Sequence, residues 1–296
     1  MTQAVDPMAV LGVEYAVDDH SDRTFSQVLG TALVDHRGVL GMSSYATLAE
    51  VVGGNAFYRS YPEGASTVQA RLSLSAPVPA IQGSRVQGKG RLVGVTGNQG
   101  VTLAELVDDS GRVICVATGR GVLVSRAVGE FPELERGREV AAVARAEDPL
   151  LPGSLDPDLT GAQILAGLAD GSIAQGPIQR LLGLRLNSVG TDDVELTVTP
   201  GPGMANRMGT MHGGLVTALM AESCSLGAEL SARAGGRYQL SEISVSFLRS
   251  PALDQGDLTV AVGMIKSGRR ISSVIATMVD STGMLLAQAV ADATAA

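Results

Sequence analysis

The chain has 296 residues, 30 acidic against 22 basic side chains for a net charge of −8, no Trp and only 3% aromatics. That composition excludes a phosphate-tracking basic surface with base-stacking platforms, so no nucleic-acid partner is expected. With 45% hydrophobic residues the chain can bury two cores of ordinary domain size. No apolar run approaches membrane-spanning length, and the N-terminus lacks a basic region followed by an apolar one. The two cysteines, Cys115 and Cys224, form neither a disulfide framework nor a metal-ligand pattern. Three well-separated histidines without a carboxylate cluster argue against a metal site. These features together predict a cytoplasmic protein with reduced thiols and no membrane partner.

Taken in chain order, the elements repeat. Leu11-Gly12-Val13 matches Leu182-Gly183-Leu184 at an offset of 171, and the same offset pairs Gly38 with Gly209 and Leu48 with Leu219. SLSAP, ending at Pro77, resembles SFLRSP, ending at Pro251, where the offset is 174. VDDSG, ending at Gly111, echoes MVDSTG, ending at Gly283. Each half therefore reads as a strand, a glycine corner, a long helix and then several strands. The strand runs ISVSFL, DLTVAVGMI, ISSVIATMVD and LLAQAVADAT alternate or are continuously apolar, are rich in Val, Ile and Thr, and are broken by Gly, Pro and Asp. One helix on an antiparallel sheet, repeated twice, is an α+β architecture. The segment between the halves is rich in charge, Pro and Gly. It reads as a linker over 126–176 with short helices such as GAQILAGLADG, separating an N-terminal unit (1–125) from a C-terminal one (177–296).

The most informative stretch is Asn206 to Gly214, where NRMGTMHGG runs into the apolar, Ala-rich LVTALMAESCSLGAEL. A His-Gly-Gly corner at a helix start presents unpaired N–H groups and the positive end of the helix dipole. Glycine lets a ligand approach the backbone, so the corner suits polarising a carbonyl oxygen or holding an oxyanion. In the N-terminal copy, Gly41-Met42-Ser43 stands for His-Gly-Gly and Asp35 for the Asn.

Asn206, His212, Gly213 and Gly214, with the strand signals that follow, resemble the hotdog-fold acyl-CoA thioesterases of the phenylacetate-pathway and 4-hydroxybenzoyl-CoA type. The resemblance covers 177–296 and, more weakly but in register, 8–125. It implies two tandem hotdog domains, each an antiparallel sheet wrapped on a central helix, forming a pseudo-dimer within one chain. It also implies an acyl-CoA substrate, no cofactor, and self-association into a dimer of double hotdogs. In the family, a carboxylate nine residues after the His attacks the thioester carbonyl or activates water, the His-Gly corner polarises that carbonyl and the Asn orients the substrate. Carboxylate and corner come from different copies. Here the position nine after His212 is Ala221, with Glu222 beside it, whereas nine after Gly41 stands Glu50. The resemblance thus implies one composite catalytic site, Glu50 with Asn206, His212 and Gly213, and a dead opposite corner of Gly41 and Met42 facing Ala221. One residue on a helix turns a side chain by about 100°, so Glu222 is expected to point elsewhere.

Gly214 and the hydroxyls of Thr67 and Ser241, each ten residues ahead of a Pro, are candidate substrate-binding groups. Arg207, Arg249, Arg269 and Arg270 suit coenzyme A phosphates by chemistry, although solvated charge is the commoner role. Gly83 to Gly90 nearly fits a phosphate loop but ends in Gly and is followed by a strand-like run, so it is discounted. A non-catalytic acyl-CoA-binding or scaffold protein is the rival reading. A hydratase on the same fold is disfavoured because its D-x4-H pattern is absent.

Overall fold

A computed structural model describes Met8 and residues 11–17, 23–126, 151–254 and 256–296. Its first half runs β1 (Val13–Val17), β2 (Arg23–Val28), α1 (Ser43–Tyr58), β3 (Ser66–Ser75), β4 (Arg85–Thr96), β5 (Gln99–Asp108) and β6 (Val113–Val124). Two helices follow, α2 (Gly161–Asp170) and α3 (Pro177–Leu181). The second half repeats the first: β7 (Leu184–Val189), β8 (Asp193–Val198), α4 (Gly213–Glu229), β9 (Tyr238–Phe247), β10 (Leu258–Lys266), β11 (Ile271–Val279) and β12 (Leu285–Ala295). The fold is two tandem hotdogs. Each half curls its antiparallel strands around one helix, and α1 and α4 are apolar on nearly every face because sheet and partner helix enclose them.

The strands form one continuous sheet in the order β1-β2-β4-β5-β6-β3-β9-β12-β11-β10-β8-β7. Its centre is the β3–β9 pair, with Leu72 opposite Val245, Ser73 opposite Ser244 and Leu74 opposite Ile243. Ser73 thus faces its own repeat partner, 171 residues away, as on a two-fold axis. Leu72, Leu74, Ile243 and Val245 are fully buried on the helix side, while the Ser73 and Ser244 hydroxyls meet at 2.9 Å on the other face. Strand alternation sorts the two sets.

The glycine turns repeat too. Gly12 and Gly183, Gly38 and Gly209, and Gly64 and Gly235 all take positive φ, which glycine adopts without steric cost. Both interface strands carry a bulge, at Ala70 in β3 and Ser241 in β9. The offset therefore stays at 171 through these two strands. Ser241 corresponds to Ala70, so the Pro-based equivalence of Thr67 with Ser241 does not hold. The extra three residues before Pro251 lie after β9, at Leu248 to Ser250, where the N–H groups of Leu248 and Arg249 both reach the Leu286 carbonyl.

Within the segment joining the halves, α2 starts on a Thr160–Gln163 capping box and stops at Gly171 in the left-handed conformation. Helix α3 wedges its start between the halves. The Ile178 N–H bonds the Val34 carbonyl, and Gly176 lies against the Asp35–His36 backbone so closely that a Cβ would fall 2.1 Å from Asp35 C. No helix among the described residues is long and apolar enough to cross a membrane.

Candidate active site

The Asn206–Gly214 corner is built by its own hydrogen bonds. Asn206 Oδ1 accepts from the N–H groups of Met208 (2.8 Å) and Thr210 (3.2 Å), and its Nδ2 donates to Thr210 Oγ1 (3.0 Å) and the Met211 carbonyl (3.3 Å). Asp35 makes the same turn in the first half, accepting from Arg37 and Val39 N–H. Asn206 is therefore a positioning residue. Its amide is consumed in shaping the loop that leads to His212.

His212 caps α4, its Nδ1 accepting the Gly214 N–H at 3.0 Å. An accepting Nδ1 carries no proton, which assigns the neutral ring with hydrogen on Nε2. Gly214 has a packing role. A Cβ there would come within 2.8 Å of Thr47 Cγ2 on α1, so glycine lets the second helix start directly on the first. Gly213, in contrast, opens toward solvent and toward Glu50. Among the described residues its N–H meets no acceptor within hydrogen-bond reach, leaving it available to a ligand at the positive end of a 17-residue helix.

Glu50 comes from the other half, in the second turn of α1. Its Oε1 lies 3.1 Å from where a Gly213 Cβ would stand, and its Oε2 lies 3.8 Å from His212 Nδ1. The latter distance joins two acceptors once Nδ1 is engaged by Gly214, so it is not an ion pair. The carboxylate is 13% exposed. Burial pushes its pKa above the ordinary Glu value, an effect a protonated His212 would oppose. The structure brings together Glu50, Gly213 and His212.

Ser241 Oγ is bonded to the Asp292 carbonyl at a bulge of the second half. Thr67 is half-buried near the start of β3. The side chains of Arg207, Arg249, Arg269 and Arg270 are all exposed, and Arg249 reaches the Leu285 carbonyl. Gly83 to Gly90 enters strand β4, not a phosphate-binding helix. Cys224 is a buried core residue whose thiol burial pushes up to about 12.

The opposite corner holds a surprise. Met42 fills the place of Gly213 and is buried, as is Ala221 in the place of Glu50. Glu222 does not point away as the helical rotation suggests. Its Oε2 accepts from Ser43 Oγ (2.7 Å) and its Oε1 from Gln179 Nε2 (2.9 Å), and Gln179 also meets His36 Nδ1 at 3.1 Å. The helix ends sit close enough that the neighbouring position still reaches the facing corner. Burial, reinforced by Asp35, raises the Glu222 pKa to about 7 against the pull of the Ser43 and Gln179 hydrogen bonds. Burial lowers that of His36. This cluster joins α1, α3 and α4 and is buried. Gln179 corresponds to Met8 by the 171-residue offset, an apolar residue that gives no hint of the amide's role.

The family model of the acyl-CoA thioesterase N-terminal domain matches residues 202–295. The chain is also similar to a hotdog-fold protein of unknown function from Alicyclobacillus acidocaldarius, at 15% identity and a TM-score of 0.65, covering 100% of this chain and 99% of that one. The tesB protein of Mycobacterium avium subspecies paratuberculosis aligns at 14% identity and a TM-score of 0.63, with 98% of each chain covered. The acyl-CoA thioesterase II TesB2 of Mycobacterium marinum aligns at 10% identity and a TM-score of 0.61, covering 98% of this chain and 96% of that one. At these identities the likeness carries the double-hotdog fold. No curated protein matches the chain.

Proposed function

We propose that the chain is a thioester hydrolase that cleaves acyl-CoA at one composite site between its halves, a reading supported by the acyl-CoA thioesterase family model over residues 202–295. The observation that carries this reading is Glu50 Oε1 standing 3.1 Å from the Cβ position of Gly213, a carboxylate of one half against the free helix-start amide of the other. The thioester carbonyl oxygen accepts the Gly213 N–H, which stabilises the oxyanion as it forms, a term commonly worth about 2.7–4 kcal/mol per donor. Glu50 either takes a proton from the attacking water or attacks the carbonyl carbon to give a mixed anhydride that water then opens. In both routes coenzyme A leaves as the thiol and the acyl group as the carboxylate. A raised pKa strengthens Glu50 as a base, and His212 holds the corner that aims the amide.

Hydrolysis of an acyl-CoA panel by Glu50→Ala and Glu222→Ala tests this assignment. Turnover should vanish in the first and persist in the second. The reverse pattern sinks the composite site. Binding without turnover in the unaltered protein favours the scaffold reading instead.

A further inference from the structure

The two halves serve as controls for one another, because each position around Glu50 has a counterpart in the half without an acid. On the sheet face under α1, Gln69 lies over Gly119, where a Cβ would come within 2.5 Å of Gln69 Nε2 and 2.7 Å of Thr102 Oγ1. Thr102 in turn stands 3.3 Å from the Cβ position of Gly53 on α1. Gly54, next along the helix, has Glu50 Oε1 at 3.6 Å from its Cβ position and, its own helix backbone and chain neighbours aside, no other described atom within 4 Å.

The strand pairings fix the counterparts. Gly119 pairs with Thr102 as Ala291 pairs with Val274, and Gln69 pairs with Gly121 as Leu240 pairs with Ala293. Gly53 corresponds to Cys224 by the 171-residue offset. The second half thus holds Leu240, Val274, Ala291 and Cys224, all buried and apolar, where the first holds Gln69, Thr102, Gly119 and Gly53. Only the half bearing Glu50 has exchanged a greasy layer for two hydrogen-bonding side chains and the glycines that admit them. Gln69 Nε2 is buried and has no partner. Such an orphan donor costs about 1–3 kcal/mol, so a position that a Leu fills in the sister half gains nothing in stability from it.

Resting on the thioesterase reading, we infer that the acyl group lies along Gly54 and carries an oxygen of its own that accepts the Gln69 Nε2 hydrogen. The preferred substrates are hydroxyacyl or oxoacyl thioesters. A second carboxylate on the acyl chain is disfavoured, because it would sit beside Glu50 with no cation facing it. Phe57 sets the far limit. It lies one further turn pair along α1, buried against Gly100 and Gly121, about 10 Å from Glu50 by helical rise.

The test compares butyryl-CoA with 3-hydroxybutyryl-CoA in the unaltered protein, Gln69→Leu and Thr102→Val, substitutions the sister half already accommodates. The unaltered protein should favour the hydroxy substrate in kcat/KM by roughly tenfold to a hundredfold. Gln69→Leu should collapse that preference toward one while retaining turnover of butyryl-CoA, and Thr102→Val should reduce it. No preference in the unaltered protein overturns the inference. So does an equal loss on both substrates in Gln69→Leu, which would place Gln69 on the water or in the scaffold. Calorimetric titration with the non-hydrolysable thioether analogues of both substrates separates the two levels of the argument. A Gln69-dependent difference in Kd without hydrolysis sustains the acyl-site inference and defeats the thioesterase assignment.

Discussion

Gly213 and Glu50 define how closely the two halves must be aligned. The Gly213→Ala variant puts a methyl 3.1 Å from Glu50 Oε1 in a backbone conformation open to any residue. The carboxylate must shift by a few tenths of an ångström, so kcat should fall about tenfold or more while the melting temperature stays nearly unchanged. Steady-state kinetics beside a thermal melt checks both. The acid limb of kcat/KM should follow Glu50. Its raised pKa means that activity is lost at a higher pH than an ordinary Glu of about 4.3 allows, and a limb at or below 4.3 would contradict the assignment. Glu222 gives a stability prediction of opposite use. Its folded pKa of about 7 exceeds the unfolded value, so the protonated acid is favoured in the fold. That contribution is complete below about pH 4.3 and is lost as pH rises through 7. Glu222→Gln should therefore gain stability relative to the parent as pH climbs across this window, measured by denaturant unfolding at several pH values. A constant difference would count against a titrating Glu222.

Helices α1 and α4 and the strands beneath them show what a single sequence makes visible. Gly38 with Gly209 and Leu48 with Leu219 set the 171-residue register, and this register taken with the family resemblance implies Glu50 opposite Gly213. What stayed hidden depends on distance between helices. Nothing in the chain order says that Glu222, one position off, meets Ser43, or that Gln179 arrives from α3 to complete the pair. The bulges at Ala70 and Ser241 were equally silent, and so the prolines gave a false equivalence for Thr67. Gln69 was within reach, since a polar residue opposite Leu240 stands out once the register is extended through β3. The same layer predicts where stability resides. Phe57 occupies the space that Gly100 and Gly121 leave free, with glycine Cβ positions as near as 2.2 Å to its ring. Phe57→Ala should cost about 3–5 kcal/mol in chemical denaturation. A loss below about 1 kcal/mol would mean that the sheet collapses onto the helix and that the glycines are not there for the ring.

At the scale of the whole molecule, the shared sheet holds the site together. Leu72 and Leu74 meet Ile243 and Val245 across β3–β9, and α1 lies directly on the start of α4 at Thr47 and Gly214. The buried Glu222 cluster adds a third junction between the halves. On the proposed reading, catalysis and cohesion are divided between two corners that the repeat makes alike. One corner keeps an open amide and a free acid. The other has its acid tied down by Ser43 and Gln179.

The Ser73–Ser244 axis has a further meaning for how such a protein can change. In an assembly of two identical subunits every substitution appears twice, so an acid gained on one side is gained on both. Tethering the partners in one polypeptide removes that constraint. Glu50 can exist without a copy at Ala221, and Gln69 without a copy at Leu240. The tether also fixes the partners' local concentration, so the site cannot be diluted apart. Turnover per chain should accordingly stay flat down to picomolar protein, where a pair of separate hotdogs would fall silent.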